Sequence, residues 1–260
     1  MTSSCRSASV LAIAMAVLLP ASAAASDWRW AVTPYAWLTG VHADVSIDDR
    51  DVGGGSAKFS DLLSKVQMGG QLNVQGMHAR HGFFVDLTYA NLGSDARREL
   101  PGPADSTLVA KGDLRYAFLD VGGVYDPDGD SDGFAVLYGA RLIEVTDTID
   151  LRVDAPTRTL LTKVYDVGGP LYDALLGVRY VGALSERWAW NVRADASTGG
   201  TELTWSALAG AGYRFGKRGN KTVLAGYRYM QIRTKDKDGQ AEVRTTVALS
   251  GPYVALRFGG

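Results

Sequence analysis

The 260-residue chain holds a single cysteine, Cys5, and three histidines. Cys5 stands ahead of the first apolar run, so a disulfide framework, a thiol nucleophile and a cysteine-bound metal are all excluded from the rest of the chain. Charge of one sign is not in excess either: 27 Lys+Arg face 28 Asp+Glu, a formal net charge of −1. A chain so balanced has no broad positive field for a nucleic acid. Eight prolines fall without a tripeptide period, which excludes a collagen-like rod. Long hydrophobic runs are missing too. The unbroken apolar run Val10 to Leu19 has 10 residues, and no run of 18 offers a helical membrane span.

That short run follows Arg6 in a polar stretch and leads into Pro20 and Ala21-Ser22-Ala23-Ala24-Ala25. The order is that of a secretory signal peptide, with cleavage near Ala25. The alternative reading of the same run is an N-terminal membrane anchor. The expected division is a signal peptide over 1–25 and one domain over 26–260. Without Arg6, 26 basic residues face 28 acidic ones.

Glycine and aromatics are plentiful, with 31 Gly and an aromatic share of 10%. From residue 28 onward, segments of about 10 residues carry apolar side chains at alternate positions, often with aromatics at the ends. In Trp188-Ala189-Trp190-Asn191-Val192-Arg193-Ala194-Asp195-Ala196 the even positions are apolar, while Asn191, Arg193 and Asp195 share the other face. The same phase holds in Leu203 to Phe215, in Tyr172 to Tyr180, in Val223 to Tyr229 and in Phe134 to Leu142. A soluble sandwich would bury the apolar face, whereas a membrane barrel turns it to lipid and its polar face inward. The signal peptide, the aromatic strand ends and the recurrence of Arg beside Gly or Asp favour the barrel.

Ten strands are expected, over 28–47, 67–80, 82–93, 107–125, 133–152, 171–184, 187–198, 203–216, 221–236 and 243–258. The turns at His81-Gly82, Ser185-Glu186 and Lys217 to Asn220 are very short and fall on one side, the periplasmic one if strand one leaves the periplasm. The long connections 48–66, 94–106 and 153–170 then fall outside. The expected fold is all-β: a closed antiparallel up-and-down transmembrane β-barrel of about ten strands. Phe59, Leu62, Leu63 and Val66 have helical spacing and predict a short helix in the first outer loop, over 59–66, capping the mouth or lying in the lipid interface, with Gly53-Gly54-Gly55 letting the chain fold back.

Parity turns Asp86, Asp120, Arg141, Asp173, Arg179, Arg193, Asp195, Arg214 and Arg228 inward. Their mixed signs fit a mutually neutralising network, because a buried charge without a partner is costly. They equally fit the lining of a narrow path. Catalytic groups are scarce: His78 and His81 lie near the periplasmic rim, and only His42, with Asp44, Ser46 and Asp48 near it, stands high enough for outer-rim chemistry. Asp126 to Gly133 begins like a calcium loop at Asp128, but the twelfth position is Gly139 instead of a bidentate Glu, so a solvated turn is the simpler reading. No enzyme, metal site or cofactor is implied.

Trp30-Ala31-Val32-Thr33-Pro34-Tyr35-Ala36-Trp37-Leu38, Phe59-Ser60-Asp61-Leu62-Leu63, Gly139-Ala140-Arg141, Gly177-Val178-Arg179-Tyr180, Gly210-Ala211-Gly212-Tyr213-Arg214-Phe215, Gly226-Tyr227-Arg228-Tyr229 and Gly251-Pro252-Tyr253-Val254-Ala255-Leu256-Arg257-Phe258 carry a resemblance. Together they resemble a family of uncharacterised proteobacterial outer-membrane β-barrel proteins. The resemblance implies the barrel and the outer membrane, with no settled activity. It also implies that Val254, Leu256 and Phe258 are read by the barrel-insertion machinery, although Gly259 and Gly260 follow where such chains end on the aromatic. The expected function is a narrow channel for ions or small solutes. The alternatives are a plugged structural or interaction barrel and, further off, an outer-membrane enzyme or a soluble periplasmic β-sandwich. The expected partner is outer-membrane lipid; oligomeric state is left open.

If residues 1–25 are a cleaved signal, N-terminal sequencing of the protein recovered from bacterial envelopes will begin at or within two residues of Ser26. An intact Met1 would make the segment an anchor.

Overall fold

The computed structural model describes residues 27–259, apart from 48–49, 58–65, 101–105, 130–131, 156–157, 217–219 and 239–240. All regular structure among them is β: β1 (Trp28–Trp37), β2 (Gly40–Ile47), β3 (Arg50–Ala57), β4 (Val66–His78), β5 (His81–Leu100), β6 (Ser106–Tyr125), β7 (Gly133–Ala155), β8 (Arg158–Ala183), β9 (Trp188–Gly199), β10 (Leu203–Phe215), β11 (Lys221–Asp238) and β12 (Ala241–Gly259).

From β4 to β12 each strand is antiparallel to its chain neighbours, and β1 pairs with both β4 and β12, so the sheet closes on itself. Closure gives every stave a paired neighbour on both sides, so the ring has no open edge running its whole length, which lipid could not satisfy. β2 continues the line of β1 past a break at Leu38 and Thr39, since β1 pairs with Tyr253–Gly259 of β12 and β2 with its Val243–Ser250 part. The Leu38 amide spans the break by donating to the Pro252 carbonyl at 2.9 Å. β1 and β2 therefore form one stave, and the ring has ten staves, the number expected from the alternation. β3 is additional and folds back on β2.

Strand length departs from expectation at the end away from Trp28, the distal end. β5 and β6 hold 20 residues each, β7 holds 23 and β8 holds 26. Most of 94–106 and 153–170 is thus paired strand rather than loop. Gly168-Gly169-Pro170 looks like a turn, yet it lies in register opposite Thr146, Val145 and Glu144, because pairing on both flanks overrides a local preference of three residues. Arg50–Ala57, expected to be loop, is β3, and Gly53 to Gly55 pair with Val45, Asp44 and Ala43. The helix expected over 59–66 lies outside the described residues, save Val66, which begins β4.

The faces follow the predicted parity. Along β8, Tyr172 and Leu176 are 69% and 63% exposed while Asp173, Leu175 and Gly177, at the odd positions, are buried. At the proximal end, where the chain enters at Trp28, rings cluster on the outside: Trp30 meets Phe83 edge-on at 5.4 Å, and Trp188 packs on Tyr213 at 5.1 Å. Trp205 and Tyr229 pair at 4.9 Å toward the other end. The outside is apolar and the inside holds the charges, the reverse of a soluble barrel.

The interior is packed. Trp37, Phe118, Ile143, Met230, Ile232 and Leu249 form a buried apolar cluster distal to mid-height, and Met77, Phe84, Val124, Leu137 and Leu175 form a second. Glycine makes room for part of this packing. Tyr253 reaches from β12 across Gly226 of β11 to Gly210 of β10, two residues paired in register, and its phenol faces Asn191 Oδ1 of β9 at 3.5 Å. A Cβ on Gly226 or Gly210 would collide with that side chain.

Gly226→Val forces the Tyr253 ring off this seat, and overpacking of this kind costs about 1–3 kcal/mol. A lower urea midpoint of the folded barrel is the expected result; an unchanged midpoint would show that the ring has room to move.

Candidate functional site

At mid-height the interior is crossed by one ionic layer. Arg141 on β7 donates from Nε to Asp120 Oδ1 at 2.7 Å and from Nη2 to Asp120 Oδ2 at 2.8 Å, and Nη2 also reaches Asp195 Oδ1 on β9 at 2.7 Å. The Arg141 and Asp195 side chains are both 0% exposed. Arg193 joins them, donating from Nε to Asp195 Oδ2 at 2.9 Å and lying 3.4 Å from Asp120 and 3.7 Å from Asp86. Planar guanidinium forks suit this bridging, because each bonds two carboxylates at fixed angles. Ser206 donates to Asp195, Asn73 to Asp86 and the Tyr35 phenol to Asp86 at 2.6 Å, so the carboxylates are held from all sides.

Of the nine residues that parity turns inward, Asp86, Asp120, Arg141, Arg193 and Asp195 meet in this layer. Arg228 sits beside it, with Nη1 3.4 Å from the Tyr35 hydroxyl and its guanidinium 4.6 Å over the Trp37 ring. Asp173, the register partner of Arg141 on β8, is buried but bonds no arginine, accepting instead from Ser197 Oγ, the Thr201 amide and Thr201 Oγ1. Arg179 and Arg214 lie proximally. Arg179 donates to Gln75 Oε1 at 2.6 Å, and Arg214 bonds Asp132 at 3.0 and 3.2 Å.

The described residues of the turn between β6 and β7, 126–129 and 132, lie at the proximal mouth. Arg29 on β1 donates to the Gly129 carbonyl at 2.5 Å and Arg214 on β10 holds Asp132, so the loop is tied from two sides of the ring. Asp126 Oδ1 accepts from the Asp128 and Gly129 amides, a turn-stabilising use of the carboxylate just ahead of the calcium-like run that starts at Asp128. Among the described residues no cluster of His, Cys, Asp and Glu is placed to hold a metal ion.

Sequence reasoning overlooked Arg257, which lines the interior with Arg179. Parity could have found it, because it alternates with the outward Val254, Leu256 and Phe258. Arg29 and Asp132 were overlooked as well. At the distal end, His42 Nε2 lies 3.0 Å from Asp44 Oδ2 with both side chains about half exposed. No serine hydroxyl bonds to His42 among the described residues, and Asp48 lies outside them. His78 packs on Trp28 at 5.5 Å and His81 on Tyr125 at 5.2 Å, both within the proximal aromatic band.

Arg141→Ala strands Asp120 and Asp195 with Arg193 as their remaining cation, and removing one partner of a buried pair costs about 3–5 kcal/mol. Denaturant unfolding should show a loss of that size. Arg141→Lys should recover only part of it, because an ammonium lacks the two-sided fork.

No protein-family model matches the chain, and no curated protein matches it. Solved structures do resemble it. The translocator domain of autotransporter NalP from Neisseria meningitidis aligns at 11% identity over 96% of this chain and 93% of that one, with a TM-score of 0.49. The toluene transporter TodX of P. putida aligns at 11% identity over 90% of each chain, with a TM-score of 0.31. Ail, the attachment invasion locus protein of Yersinia pestis, solved with the heparin analogue sucrose octasulfate, aligns at 10% identity over 88% of this chain and 99% of that one, with a TM-score of 0.28.

Proposed function

We propose that the chain is an integral outer-membrane β-barrel whose lumen is closed at mid-height, a structural or interaction barrel presenting its distal hairpins outside the cell. The apolar outer face, the aromatic bands and the ten-stave closure support insertion in lipid. The short turns at Ala79-Arg80 and Ser185-Glu186, together with the start of β1 and the end of β12, gather at the proximal end, which the proposal places in the periplasm. Export relies on the leader over 1–25. Val254 and Phe258, both exposed on the outward face of β12, and Leu256 between them are offered to the insertion machinery.

One observation carries the closure. Arg141, Asp120 and Asp195 are bonded to one another in the middle of the barrel with their side chains wholly or almost wholly buried. Ions do not pass a layer of paired charges that has no access to water without parting it, and the apolar cluster around Phe118, Ile143 and Met230 lies directly beyond. A narrow channel lined by the nine inward residues requires that layer to open.

Residues 26–260, refolded and inserted in a planar bilayer, should give no discrete current steps, while a heat-shifted gel band shows that the barrel has folded. Reproducible steps from the unaltered protein would replace the closed barrel by the narrow channel.

A further inference from the structure

Proximal to the ionic layer lies a cavity of about 190 Å³, with Asp132 of the mouth turn in its wall. Its wall carries five guanidiniums, Arg179, Arg193, Arg214, Arg228 and Arg257, and two carboxylates, Asp86 and Asp132. Both carboxylates are engaged. Asp86 accepts from Tyr35 and Asn73 and faces Arg193, and Asp132 is held by Arg214. Among the described residues Arg179 and Arg257 form no salt bridge. Arg179 has Gln75 as its hydrogen-bond partner and a buried Nε with none. Sharing one wall, the Arg179 guanidinium is repelled by those of Arg257 and Arg193, while Arg257 is attracted by Asp132 and repelled by Arg214. Asp126 and Asp132 offset that repulsion from the mouth loop, where Asp126 Oδ1 also holds two backbone amides.

Like charges gathered in an enclosed space are costly unless an opposite charge joins them. We propose that this chamber binds a small soluble oxyanion of the phosphate class, held by the Arg179 and Arg257 guanidiniums. The fork of each guanidinium matches two oxygens of such an anion, and Gln75, already bonded to Arg179, fixes one of the forks. The cavity is large enough for one tetrahedral oxyanion and small for a nucleotide. A phospholipid headgroup is kept outside by the ring wall. The inference rests on the closed-barrel reading, which makes the chamber a pocket rather than a stretch of open pore.

The test is calorimetric titration of inorganic phosphate into the barrel refolded in phosphate-free detergent without phospholipid, up to about 10 mM, beyond the millimolar range of a weak site. Saturable binding is expected, weakened by about tenfold or more in Arg179→Gln/Arg257→Gln, the change that follows from losing charge-assisted hydrogen bonds. Should the double variant give no heat-shifted band, each single variant is titrated instead, and His42→Ala serves as the control that leaves binding intact. Absence of saturable binding in the unaltered protein, or equal binding by the arginine variants, overturns the site. Conductance separates the two proposals: a conducting barrel that binds phosphate overturns only the closure, and a silent barrel that ignores phosphate overturns only the chamber.

Discussion

The interior is organised around Arg141. A guanidinium removed from water demands carboxylates within bonding distance, and here they come from two different directions. Asp120 on β6 and Asp173 on β8 are both its register partners, and of the two Asp120 bonds it. Asp195 stands two strands away on β9, and β8 intervenes. The residue of β8 opposite Asp195 is Gly177, where a Cβ would press on the Asp195 side chain. That glycine leaves room for the Asp195 side chain, so register and a missing side chain both serve the ion pair.

The surroundings strengthen what the layer does. With the Phe118, Ile143 and Met230 cluster on its distal side, little water screens the bonds among Arg141, Asp120 and Asp195. Elsewhere small residues serve large ones in the same way as Gly177: Tyr253 lies over Gly226 and Gly210, and on the outer face the Tyr138 ring covers Gly123 and Trp190 covers Gly182. The high glycine content is thus a set of seats for rings on both faces of the sheet, as well as a source of turns.

Strands were legible where one face is apolar and the other is not, as in Trp188 to Ala196. The apolar interior was not, because in Ala117-Phe118-Leu119 and Leu142-Ile143 both faces are apolar and alternation vanishes. The inward charges were legible as a set, while their pairing was hidden: Arg141 and Asp195 are 54 positions apart, and what joins them is strand order and register. Asp173 looked equivalent to the other carboxylates, yet the turn after β9 brings Thr201 to it and takes it out of the arginine system. Distal strand length was illegible because Gly168-Gly169-Pro170 carries turn preferences that its pairing overrides.

The unequal staves leave their mark at the distal rim. β9 ends at Gly199, opposite Asp173, whereas β8 runs on to Arg158, and β5 continues past Leu92, where its described pairing with β4 ends. β5 to β8 therefore rise as a four-stranded wall, its two flanks bare of neighbours among the described residues, while β11, β12, β2 and β3 extend past the end of β10. Bare flanks invite other strands to add to them, and natural sheets guard against that with proline and charge. Pro170, exposed on the β8 flank, has no N–H to offer an added strand. A strand that approaches this wall along β8 meets a margin blunted at Pro170, where the ladder of hydrogen bonds cannot be continued.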